Sequence, residues 1–87
     1  MKNFKTYVGK KIKTKSGEVV RIKKLLNVEG PLNYNLCPSY WVFIATYETE
    51  DNEKIFLYYW PFHFEKKEWE TEKEKKEREE YEAWLKH

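Results

Sequence analysis

With 87 residues the chain has room for one small domain, which buries only roughly 60% of the surface its unfolded form exposes. Aromatic residues make up 18% of it, and large rings compensate for short length because each removes much apolar area from water. The net charge of +2 is unevenly spread: residues 1–30 carry nine Lys or Arg against two Glu, residues 31–62 one Lys against four acids, and residues 63–87 seven Lys or Arg against nine Glu. Positive charge gathered at the front of a chain points to an anionic partner. The lone cysteine, Cys37, excludes an intrachain disulfide and fits a reducing compartment. No apolar run approaches the roughly 20 residues of a membrane span, and the start of the chain has no signal-peptide core. A cytoplasmic protein without membrane association is expected.

After a lead-in over residues 4–8, residues 10–14 and 18–26 read as a hairpin. Its loop of residues 15–17 ends in Gly17, as in the three-residue connection where a type I turn precedes a left-handed residue. Pairing Thr14 with Glu18 sets Ile12 opposite Val20 and Lys11 opposite Arg21. A two-residue turn would mix both faces, and a slip of one residue turns every side chain over. The chosen register predicts an apolar face of Val8, Ile12, Val20, Ile22 and Leu26. The opposite face carries Lys11, Lys13, Arg21 and Lys23, with Lys15 and Lys24 nearby. Like charges opposite each other on a sheet are mildly destabilising, a cost that a bound polyanion would offset. Lysines also keep an exposed strand edge from aggregating.

Residues 27–39 hold Gly30-Pro31, Asn33, Asn35 and Cys37-Pro38, a cluster of breakers that predicts a loop. Leu32, Tyr34 and Leu36 alternate with the asparagines, as a brief extended edge segment would. Cys37 reads as a small buried hydrophobe, because no nearby His or Cys completes a metal site.

Residues 40–47 and 54–60 are rich in β-branched and aromatic residues and flank a turn at residues 49–52, so they predict a second hairpin. Val42 and Ile44 alternate with Phe43, Ala45 and Tyr47. Apolar side chains on both faces imply a sheet covered on both sides. Pro61 suits the first turn of a helix, and residues 62–85 read as helical, with Glu72–Lys76, Glu74–Arg78 and Glu82–Lys86 spaced for ion pairs. No apolar residue lies between Glu70 and Glu80, so the middle is expected to project as a charged rod. Tyr81, Trp84 and Leu85 then form a small sticky patch at its end, suited to folding back, to a second copy of the chain, or to a partner's groove.

The fold class expected is α+β, mainly β. It consists of a small bent antiparallel sheet of four to five strands tending toward an SH3-like barrel, followed by one long C-terminal helix. Residues 1–61 would form the sheet and residues 62–87 the helix, within one compact unit. In outline this resembles small archaeal chromatin proteins and chromo-like domains, which are basic barrels followed by a helix; the likeness is of architecture, with no shared motif.

Chemistry-bearing groups are sparse. His63 and His87 stand apart from both serines, the only Asp lies in a turn, and no Gly-rich phosphate loop or zinc-ligand spacing occurs. No catalytic residue, metal or cofactor is expected. The leading expectation is a non-enzymatic module that binds DNA or RNA through Lys11, Lys13, Lys15, Arg21, Lys23 and Lys24, with Tyr7, Tyr40, Trp41, Tyr58 and Tyr59 as candidate base-stacking platforms. The competing expectation is a small protein-interaction factor, of the kind with which viruses or mobile elements block a host complex, docking through Tyr81, Trp84 and Leu85. A homodimer through the same patch is the third.

Overall fold

The computed structural model describes residues 4–33 and 41–85. A 3-10 turn, Phe4–Tyr7, precedes strands β1 (Lys11–Lys13), β2 (Val19–Asn33), β3 (Trp41–Thr49), β4 (Lys54–Trp60) and β5 (Lys66–Thr71), and helix α1 (Glu72–Leu85) follows. The strands form one antiparallel sheet in sequence order. The fold is therefore α+β and mainly β, as expected. The sheet curls until the Lys15 amide meets the Trp69 carbonyl oxygen of β5 at 3.4 Å, but the barrel does not close.

Both tight hairpins use the same local device. In Thr14-Lys-Ser-Gly-Glu18 the Thr14 amide donates to the Glu18 carbonyl (2.8 Å), the Gly17 amide to the Thr14 carbonyl (2.9 Å), and the Glu18 amide to Thr14 Oγ1 (3.2 Å). Thr49-Glu-Asp-Asn-Glu53 repeats these bonds at 2.8, 3.0 and 3.2 Å. Gly17 and Asn52 occupy the left-handed position, with φ of 92° and 62°, where Gly and Asn cost least. The first turn sets the expected register, with Lys11 opposite Arg21, Ile12 opposite Val20 and Lys13 opposite Val19.

Beyond Ile22 the expected alternation fails. A bulge between Ile22 and Lys24 shifts the register, and Leu25, rather than Leu26, packs on the core. Leu26 is left exposed, as is Val8 in the turn after the 3-10 helix. The strand then runs on through residues that read as loop, reaching Asn33 by way of two further register shifts. At Gly30 a Cβ would lie 2.8 Å from the Val42 carbonyl oxygen, and φ is +128°; glycine is what lets β2 cross β3 there. Tyr34, Asn35, Leu36, Cys37 and Tyr40 lie outside the described residues.

The inner face holds the core: Ile12, Ile22, Ala45, Tyr47, Ile55 and Leu57 are buried, closed off by Phe4 and Tyr59. The Tyr47 hydroxyl donates to the Phe4 carbonyl oxygen at 2.6 Å and ties down the N-terminal turn. Trp69 of β5 completes this side, with its ring 5.2 Å from Tyr7 and 5.4 Å from Tyr47.

The long helix expected from residue 62 is in fact a turn, a strand and a shorter helix. Phe64 and Glu65 take left-handed φ of 55° and 52°, which no helix accommodates. β5 then pairs with β4 along its whole length, from Trp60 opposite Lys66 to Ile55 opposite Thr71. Trp69 explains the preference: on a strand it reaches the core while Glu68 and Glu70 face outward.

Candidate functional site

The hairpin of β1 and β2 presents the expected cations outward. Lys11, Lys13, Arg21 and Lys23 are all exposed, and a 60%-exposed Val19 lies on the same face. Among the described residues no carboxylate lies within ion-pair distance of Lys11 or Lys13. Arg21 reaches Glu50 at 3.5 Å and donates to the Gly9 carbonyl oxygen at 3.1 Å. Lys23 donates to Asn52 Oδ1 at 3.3 Å. Lys24 is held by the half-buried Glu48 at 3.3 Å, and Lys15, in the hairpin turn, reaches across to Glu70 of β5. The six cations thus separate into an outward group of four and two engaged elsewhere.

Lys15 belongs to a polar clasp on the outer face that the sequence reading missed. Glu70 is 1% exposed. Its Oε2 accepts from Lys15 Nζ at 2.9 Å and Arg78 Nε at 3.0 Å, and its Oε1 from the Tyr58 hydroxyl at 2.8 Å. Burial works to raise the carboxyl pKa, but the hydrogen bonds from Arg78, Lys15 and Tyr58 outweigh it and leave Glu70 below the usual carboxylate range. The same contact with Glu70 raises the pKa of Arg78. For Tyr58, burial and then the Glu70 carboxylate raise the hydroxyl pKa. A general acid needs a raised carboxyl pKa; Glu70 has the opposite, which suits a structural tie.

That tie docks α1. Arg78 continues to Glu82 at 3.1 Å and lies 5.7 Å over the Tyr58 ring, while Lys75 Nζ sits 4.5 Å over Phe56. The helix therefore lies against β4 and β5 instead of projecting as a rod, and does so without burying one apolar side chain. The long stems of Lys and Arg supply the packing. Of the expected helical ion pairs, Glu72–Lys76 does not form, Glu74 and Arg78 are drawn to other partners, and Lys86 lies outside the described residues; among those residues the helical pairs formed are Lys75–Glu79 and Arg78–Glu82.

Because the docked part of α1 brings only polar groups, the described residues leave a cleft of about 610 Å³ on the outer face. Its floor is Leu32, Val42, Ile44, Tyr58 and Trp60, with the Tyr58 and Trp60 rings stacked at 6.1 Å. Five of its lining residues are glutamates and three are cations.

Of the candidate stacking platforms, the four among the described residues are engaged elsewhere. Tyr59 is buried, Tyr7 packs on Tyr47 and Trp69, Trp41 packs on Phe62, and Tyr58 is in the clasp. Among the described residues the exposed aromatics are instead Phe62 and Phe64, in the turn between β4 and β5, and Tyr81 and Trp84. Tyr81, Trp84 and Leu85 are each more than half exposed, so the helix end does not fold back on its own sheet. Among the described residues no group of three or more metal-ligating side chains converges, and no helix is long and apolar enough to cross a membrane. Comparison with known proteins finds no family model, no curated protein and no solved structure that matches the chain.

Proposed function

We propose that the protein is a non-enzymatic nucleic-acid-binding module, working in the cytoplasm, that grips phosphates with the outer face of the β1–β2 hairpin. The observation that carries this reading is the exposure of Lys11, Lys13 and Arg21 on one face with Lys23 exposed at the bulge beside them, Lys11 and Lys13 having no ion-pair partner among the described residues. The Arg21–Glu50 pair is exposed on both sides, so it contributes little and exchanges readily for a phosphate. Lys15 and Lys24, held by Glu70 and Glu48, add long-range field more than direct contact. With Tyr7, Trp41, Tyr58 and Tyr59 engaged elsewhere among the described residues, binding rests on the backbone and distinguishes little between bases or between single and double strands.

The test is fluorescence anisotropy with labelled DNA and RNA over a salt series, beside the Lys11→Ala/Lys13→Ala/Arg21→Ala/Lys23→Ala variant. Affinity should fall linearly on a log–log plot, with a slope of about 0.9 per neutralised phosphate, and the variant should lose most of it. Absence of binding at low salt sinks the reading.

A second reading, a protein-interaction factor docking on a host complex, is favoured by the exposed Tyr81–Trp84–Leu85 patch. A homodimer through that patch is its simplest form. Sedimentation that becomes monomeric on Tyr81→Ser/Trp84→Ser/Leu85→Ser, with nucleic-acid affinity unchanged, would separate the two surfaces.

A further inference from the structure

We infer that the cleft between α1 and the outer face of the sheet is a docking site for a short basic peptide segment of a partner protein, one bearing apolar side chains between its cations. An amphipathic helix normally seals the sheet it lies on with an apolar stripe. Here α1 offers none, and its docking runs through Glu70, Arg78 and Lys75. The sheet beneath is nonetheless apolar: Leu32, Ile44, Tyr58 and Trp60 remain half-buried around a fully buried Val42. An apolar floor of this kind is a source of binding free energy once another apolar group excludes its water.

The rim decides the chemistry of the occupant. Glu29 and Glu68 stand on the sheet side, and Glu79 and Glu82 on the helix side. Of the three cations lining it, Lys15 and Arg78 are held on the Glu70 carboxylate, Arg78 also pairs with Glu82, and Lys75 lies over the Phe56 ring and pairs with Glu79; beside them Lys66 pairs with Glu68 and lies over the Trp60 ring. Five carboxylates thus face four cations, and the pairs of Glu68, Glu79 and Glu82 are part-exposed and exchange readily. With Glu29 in no ion pair among the described residues, the balance favours a cationic ligand over nucleic acid. A purely polar cation would leave the floor wet. An acidic amphipathic segment would meet the glutamates, which disfavours the chain's own helix end: Tyr81, Trp84 and Leu85 lie among Glu79, Glu80 and Glu82. A basic segment with interspersed apolar residues satisfies both floor and rim. This site is separate from the hairpin face, and the inference stands whether or not that face binds nucleic acid.

The experiment uses the whole chain and the fluorescein-labelled peptide Lys-Leu-Lys-Phe-Lys-Leu-Lys, with its all-Glu-for-Lys counterpart and a plain oligolysine as controls. Anisotropy should show saturable binding of the first peptide, at least about tenfold weaker binding of both controls, and about a tenfold loss in Glu29→Lys/Glu68→Lys, with urea denaturation confirming that this variant is folded. Trp60→Ala should weaken the peptide by a similar factor while leaving oligolysine unchanged. The Lys11→Ala/Lys13→Ala/Arg21→Ala/Lys23→Ala variant should bind the peptide as the parent does. Equal affinity for oligolysine, or for the rim variant, overturns the inference. So does concentration-dependent self-association abolished by the rim variant, which would make a second copy the occupant.

Discussion

At the scale of single residues, Glu70 concentrates more consequence than any other side chain. One carboxylate joins the hairpin turn through Lys15, the sheet through Tyr58 and the helix through Arg78. Its folded-state pKa lies below the unfolded one, so its contribution is fully present above about pH 4.3 and is lost as pH falls through the depressed folded value. Acid titration of the native protein should therefore loosen helix docking first, readable as loss of α1 amide protection before the sheet opens. Glu70→Gln should lose that acid step and cost about 1–3 kcal/mol in urea denaturation. The range sits below that for a wholly buried pair because Lys15 and Arg78 are 47% and 38% exposed and reach water when released.

At the scale of elements, the start of α1 is defined by a reciprocal cap. Thr71 Oγ1 accepts from the Glu74 amide at 3.1 Å, and Glu74 Oε1 accepts from the Thr71 amide at 3.4 Å and hydroxyl at 3.0 Å. Ser16 Oγ also donates to Glu74, at 3.3 Å, so the cap meets the first hairpin turn. Thr71→Ala should destabilise the protein by about 1 kcal/mol, with the loss visible as fraying of the first helical turn by hydrogen exchange. Thr71-Glu-Lys-Glu74 is the pattern of a capping box and was legible in the chain, as was the alternation around Trp69. Pro61 competed with both as a helix-start signal, and the charged run after it suits a helix of any length. What separates the two outcomes is non-local: β4 needed an antiparallel partner, and the inner core needed Trp69. The turn and register of the first hairpin were readable as far as Ile22 because its turn is chemically specific. The later course of β2 was not, because bulges are set by what the facing strand requires and leave no periodic trace.

At the scale of the molecule, charge is segregated in space as well as along the chain. The outward hairpin face is basic, and the cleft under α1 carries more glutamates than cations. Such separation favours two different partners, or one partner with two oppositely charged surfaces. The Tyr81–Trp84–Leu85 patch is independent of both, since its side chains are exposed beyond the last docking residues. The Tyr81→Ser/Trp84→Ser/Leu85→Ser variant should accordingly unfold within about 0.5 kcal/mol of the parent in urea, whatever it does to a binding partner. Composition and local pattern by themselves determined the mainly β class, the two hairpins, the register of the first and the basic face it displays. These follow from turn chemistry and side-chain alternation, which act over a few residues. Only the tertiary structure decided that Lys15 leaves the basic face, that the charged helix lies down on a buried Glu70, and that an apolar, glutamate-rimmed cleft remains beneath it. Each depends on groups far apart in the chain meeting where burial makes a charge costly unless it is paired, and no local pattern encodes such a meeting.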